Sequence, residues 1–161
     1  MTAGYPRVMR RLTVFAAVLL ALTSCGGGER DSGSGGGDSA DGNGGLSLAV
    51  SFSPEPLRAG GPVTWSLEVT NGAKAPVTLT FPSGQYGDVV LLRDGTEAYR
   101  WSSTKFFAQA VVKENLAGGA DKVFALEEKG LSVEPGDYEL VATLAAEPAP
   151  APVRRRVSVE S

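Results

Sequence analysis

VVLLRDGTEAYRW, residues 89 to 101, decides how the rest of the chain is read. Asp94-Gly95 separates two strand-like runs, Val89 to Arg93 and Thr96 to Trp101. A two-residue Asp-Gly connection favours a type I′ hairpin turn, in which both central residues take positive φ. The two runs are therefore expected to be antiparallel neighbours. Upstream, Leu46, Leu48, Val50 and Phe52 alternate with Ser47, Ala49 and Ser51, and Val63, Trp65, Leu67 and Val69 with Thr64, Ser66, Glu68 and Thr70. Val77, Leu79 and Phe81 repeat the pattern after a turn beginning Asn71-Gly72. Downstream, Val111 to Leu116, Lys122 to Glu127, Tyr138 to Leu144 and Val153 to Val159 read the same way. The last run is approached through Glu147 to Pro152, a polyproline-like connection. Period two is the signature of half-buried strands, and no comparable window has helical periodicity.

Short strands with turn signals about every ten residues predict an all-β fold. The expected architecture is an immunoglobulin-like antiparallel β-sandwich spanning residues 46–161, with a closed barrel as the competitor. Its expected core is Leu48, Val50, Trp65, Leu67, Val69, Leu79, Phe81, Leu91, Tyr99, Phe124, Leu140 and Leu144. In the last strand Val153, Arg155, Val157 and Val159 share one face, expected to be inward, while Arg154 and Arg156 face out.

The segment before this domain reads as an address. Arg7, Arg10 and Arg11 precede an apolar run, Leu12 to Leu22, about half the length a membrane-spanning helix needs. Residues 1–24 are thus expected to be an export signal. Leu22-Thr23-Ser24-Cys25 resembles the lipobox of bacterial lipoproteins, which implies cleavage before Cys25 and attachment of a diacylglyceryl group to it. Cys25 is the sole cysteine, so no internal disulfide can form. Residues 25–45 form the expected linker. Half of residues 26–45 are glycine and almost none are apolar, so the segment reads as a flexible tether with an end-to-end distance of about 25 Å. The expected localisation is the outer face of the cell membrane, with the membrane engaged through the N-terminal lipid.

Charge and composition narrow the chemistry. Without the three leader arginines, 12 basic residues face 18 acidic ones, a poor balance for binding nucleic acid. The chain has no histidine, which removes the commonest general base and most zinc sites. The acids are scattered through turns (Asp94, Asp121, Glu134, Asp137) and on polar strand faces (Glu68, Glu139). No catalytic residue, metal site or cofactor is expected, and a monomer is assumed.

Several elements, taken together in order and spacing, resemble the BsuPI-type intracellular proteinase inhibitor domain. They are Asn71 to Phe81, Ser83-Gly84-Gln85, Tyr86 and Asp88, the Asp94-Gly95 hairpin, Tyr99 to Ser102, Lys105-Phe106, Ala108 to Ala110, and Glu134 to Tyr138. The similarity extends over nearly all of residues 46–149. It implies an immunoglobulin-like sandwich and a proteinase as partner, here outside the cytoplasm. Inhibition by a substrate-like loop requires a segment already held in its bound shape. Two segments qualify: Pro82, Ser83, Gly84, Gln85 and Tyr86 up to Gly87, and Trp101, Ser102 and Ser103 up to Lys105. The structural alternative gives Gln85 a backbone bond across the corner, Tyr86 and Trp101 the end of the core, and Asp88 a capping role. Two other functions compete, a carbohydrate- or cell-wall-binding module and an envelope adapter without inhibitory activity. Exposed Tyr86 and Trp101 rings would favour the sugar reading.

Overall fold

The computed structural model describes residues 45–161. The expected export signal, Cys25 and the expected linker up to residue 44 lie outside the described residues. The domain is all-β, with ten strands and one short 3-10 turn, Trp101–Thr104. The strands are β1 (Leu46–Ser53), β2 (Leu57–Arg58), β3 (Val63–Asn71), β4 (Val77–Phe81) and β5 (Gly87–Arg93), followed by β6 (Thr96–Arg100), β7 (Val112–Leu116), β8 (Asp121–Glu128), β9 (Gly136–Leu144) and β10 (Val153–Glu160).

One sheet runs β1-β3-β8, a second runs β2-β10-β9-β5-β6, and β4 pairs with β7. All pairings are antiparallel except that of β2 with β10. This is the strand order of an immunoglobulin-like sandwich. The alternation seen in the sequence becomes one inner face. Trp65, Leu67 and Val69 of β3 meet Val89 and Leu91 of β5 and Leu140 and Ala142 of β9, all fully buried. Each of the Val and Leu side chains among these stabilises the fold by about 1.5–3 kcal/mol through removal of apolar surface from water. The sheets approach closely at Gly87, where a β-carbon would run into Leu67 Cδ1 and the Thr143 carbonyl.

The hairpin forms as its sequence requires. Arg93 faces Thr96, and Asp94 (φ 50°) and Gly95 (φ 78°) make the type I′ turn between them. A bulge follows between Leu91 and Leu92, so that Leu91 faces Tyr99 and Leu92 faces Glu97. The strand ends at Arg100 rather than Trp101, whose ring turns inward. Tyr99 and Leu48, both expected in the core, are only half-buried, because they pack at its margin. In β10, Val157 and Val159 are buried and Arg155 lies on their face, its guanidinium 4.7 Å from the Phe52 ring centroid. Arg154, Arg155 and Arg156 are all exposed, so the inward face of β10 is buried only at Val157 and Val159, and Arg155 differs from its neighbours in its Phe52 contact rather than in burial.

β2 was not foreseen. Pro54 and Pro56 flank the passage between sheets, since proline cannot donate to a ladder. Leu57 then drops into the core beside Val159 of the other sheet. Two polar side chains fix turns. Tyr138, near the start of β9, donates its hydroxyl to the Glu134 carbonyl at 2.6 Å, a tyrosine corner. Asn71, 1% exposed at the end of β3, places Nδ2 within 2.9–3.2 Å of the Ala75, Leu116 and Ala117 carbonyls. Its Oδ1 accepts the Ala73 N–H, so one amide ties β3 to the β4–β7 pair.

Candidate functional site

The first predicted segment, Pro82 to Gly87, is a tight corner between β4 and β5. Ser83 Oγ accepts the Gln85 N–H at 3.2 Å, and Gln85 Nε2 donates to the Gly87 carbonyl at 3.2 Å. Tyr86 is half-buried. Its ring stacks on Phe124 at 4.9 Å and meets Phe81 edge-on at 5.0 Å. Of this group only Pro82 is exposed.

The second segment is held by two carboxylates. Asp88, buried at the start of β5, accepts the Ser102 N–H at 3.1 Å and the Val89 N–H at 2.9 Å on Oδ1. Its Oδ2 accepts the Ser102 hydroxyl at 2.6 Å and Arg100 Nη1 at 3.0 Å. Arg100 is shared with Glu97, whose carboxyl is held below its usual range chiefly by the hydrogen bond from Arg100. Ser103 donates to the Arg100 carbonyl at 2.8 Å, closing the 3-10 turn. Glu128, at the end of β8, is the second clamp. Its Oε2 receives Lys105 Nζ at 3.0 Å and the Tyr99 hydroxyl at 3.2 Å. Burial pushes the Glu128 carboxyl up, but Lys105 and the Lys129 and Gly130 N–H groups outweigh it, and the net displacement is downward from 4.5. Burial, and then the charge of Glu128, push the Tyr99 hydroxyl well above its ordinary value of 10.

Trp101 is not presented to a partner. It is 8% exposed, donates Nε1 to the Glu127 carbonyl at 2.9 Å, and carries Lys105 over its ring and Phe107 against its side. With Trp101 and Tyr86 both committed to packing, neither offers a free aromatic platform for a sugar ring. Among the described residues no cluster of three His, Cys, Asp or Glu side chains could hold a metal ion.

What the sequence reading missed lies immediately beyond Lys105. Residues 105 to 111 belong to no helix or strand, and Lys105 itself is extended (φ −108°, ψ 149°). Lys105 is tied to Glu128, Phe107 packs on Trp101 at 5.6 Å, and the Ala108 carbonyl accepts the Gly84 N–H at 2.9 Å. That last bond joins the first predicted segment to the stretch that follows the second. Between the held residues Phe106 stands wholly in solvent, at 102% exposure. In sequence Phe106 and Phe107 are indistinguishable; only the position of Trp101 separates them.

Residues 49–149 match the family model described as BsuPI, intracellular proteinase inhibitor. No curated protein matches the chain. Among solved structures, the sporulation control protein Spo0M of Bacillus subtilis is 16% identical with a TM-score of 0.47, covering 74% of this chain and 51% of that one. The alkylpurine DNA glycosylase AlkC of Pseudomonas fluorescens is 14% identical with a TM-score of 0.42, covering 74% and 31%. A CARDB domain from Pyrococcus furiosus is 17% identical with a TM-score of 0.41, covering 71% and 92%. The chain thus spans about half the length of the first of these and under a third of the second.

Proposed function

The chain belongs to the BsuPI family of intracellular proteinase inhibitors, and on that footing we propose that it is an exported proteinase-binding lipoprotein. In this reading residues 1–24 are removed, Cys25 carries the lipid at the outer face of the cell membrane, and residues 46–161 bind the partner. The lipobox-like Leu22 to Cys25 supports the anchor. Two or more acyl chains, at about 0.8 kcal/mol per buried CH₂, hold where one would not. A tether of about 25 Å leaves the domain free to meet a partner in the envelope. The family description names an intracellular inhibitor, so the export signal assigns this member a different target.

The observation that carries the inhibitor reading is the braced segment from Ser102 to Ala108. Ser102 is fixed by Asp88, Lys105 by Glu128, Phe107 by Trp101 and Ala108 by Gly84. A loop ordered in advance avoids about 0.5–1.5 kcal/mol for each side chain that binding would otherwise immobilise. The Pro82 to Gly87 corner acts as its backing. The test uses the full chain purified in detergent, titrated against serine proteases with chromogenic peptide substrates. Dose-dependent inhibition is expected; none at tens of micromolar rejects the inhibitor reading. Separately, Cys25→Ser should release the protein from the membrane fraction or leave its leader uncleaved.

A further inference from the structure

We infer that Phe106 is the specificity-determining side chain of this molecule, inserted into a deep apolar primary pocket of its target protease. The inference rests on the inhibitor reading and adds to it a residue and a class of target. Single exposed apolar residues on a surface are ordinary, but Phe106 differs in two ways. Its ring is completely free at 102% exposure, whereas the next most exposed large apolar residues among the described residues, Val111 and Val123, reach 64% and 55%. Both of its neighbours are anchored, Lys105 to Glu128 and Phe107 to Trp101, so the backbone that carries it cannot fold the ring back onto the core.

An isolated aromatic on a fixed backbone is how binding energy is concentrated in one residue, with the surrounding contacts excluding water. The pocket it fits follows from its chemistry. Primary pockets of serine proteases include those with a carboxylate at the base, which take Lys or Arg, apolar slots, which take aromatic side chains, and small ones that admit no ring. Lys105 is the only cation in residues 105 to 111, and its ammonium is spent on Glu128 at 3.0 Å while lying 5.3 Å from the Trp101 ring centroid. Extracting it would leave the largely buried Glu128 carboxylate without its cation, which penalises a carboxylate-based pocket. Phe106 needs no such rearrangement.

The experiment measures inhibition constants of the full chain in detergent against chymotrypsin, subtilisin and trypsin. Variants Phe106→Ala, Phe106→Lys and Val111→Ser are compared with the parent, and thermal melts check that each is folded. Expected are inhibition of chymotrypsin or subtilisin, a rise of roughly 30-fold or more in the constant for Phe106→Ala, and a gain of trypsin inhibition in Phe106→Lys. Val111→Ser should change the constants by less than about threefold. Parent inhibition that survives Phe106→Ala unchanged, or inhibition of trypsin alone, overturns the assignment of Phe106 and leaves the inhibitor reading standing. A parent that inhibits none of the three overturns both.

Discussion

Replacing Asp88 with alanine should be among the most damaging single polar changes in the domain. Its carboxylate is 11% exposed and receives four donors. The bond from Arg100 counts for little, because that side chain is 41% exposed and keeps Glu97 as a partner. The two from Ser102 count most. Hydrogen bonds to a charged group contribute about 1.5–3 kcal/mol each. Water reaching the half-buried Ser102 recovers part of that loss, so the net cost of Asp88→Ala is about 3 kcal/mol. In a domain of this size that is a fall in Tm of roughly 10 °C. Asp88→Asn keeps an acceptor for both backbone N–H groups and should cost about half as much. Urea unfolding of Asp88→Ala, Ser102→Ala and the double variant separates the terms. A coupling of about 1–2 kcal/mol between the two sites is expected for residues in direct contact. A loss under about 1 kcal/mol for Asp88→Ala, or strict additivity, would show that the 3-10 turn is not held from Asp88.

Gly95→Val should lower stability by about 1–2 kcal/mol, because nothing crowds the position and the cost is the positive φ alone; an unchanged melt would show that the turn does not set the register. Tyr138→Phe removes only the hydroxyl that reaches the Glu134 carbonyl and should cost about 1–1.5 kcal/mol in urea unfolding, and a neutral result removes the tyrosine corner from the stabilising features. Glu128 has its carboxyl lowered in the folded state, so its contribution is complete above its ordinary value of 4.5 and is lost as pH falls through the lower folded value. The urea midpoint of Glu128→Gln should therefore fall less steeply than that of the parent below pH 4.5, and parallel profiles refute the clamp. Arg155→Asp should destabilise by about 1 kcal/mol through loss of the Phe52 contact, whereas replacing both Arg154 and Arg156 with serine should change stability by no more than about 0.5 kcal/mol.

The strands were legible because each long one has a partner face to bury, and burial writes period two into the sequence. Val63 to Val69 shows this most plainly. Asp94-Gly95 was legible for a different reason, its backbone requirement being local. β2 escaped because two residues directly after a proline carry no period at all, and Leu57 is buried by a sheet its own chain has only just reached. The candidate site was half legible. Asp88, Ser102 and Lys105 could be named as residues, but Glu128, which holds Lys105, lies 23 positions away along the chain. Phe106 could not be told from Phe107, since the alternation that sorts side chains requires a paired strand, and residues 105 to 111 have none. Trp101 misled for the complementary reason. It follows a strand, yet the turn that Asp88 stabilises rotates its ring into the core.

Asn71 is followed by Gly72, the dipeptide in which asparagine ages fastest in a free chain. The Gly72 nitrogen attacks the side-chain carbonyl carbon, ammonia leaves, and the resulting five-membered succinimide opens with water to aspartate or isoaspartate. In the folded domain the amide is engaged by three carbonyls, its oxygen accepts the Ala73 N–H, and the Gly72 N–H donates to the Gly45 carbonyl at 2.8 Å. The side chain cannot rotate to meet the attacking nitrogen without abandoning all of these. Deamidation at Asn71 therefore proceeds only while this corner is open. The conversion also replaces a donor facing three carbonyls with an oxygen that repels them, so a molecule that has reacted does not close again. Across the population, the reacted fraction at this one position therefore reports the time this corner has spent open, and accumulates as a one-way loss from the native state.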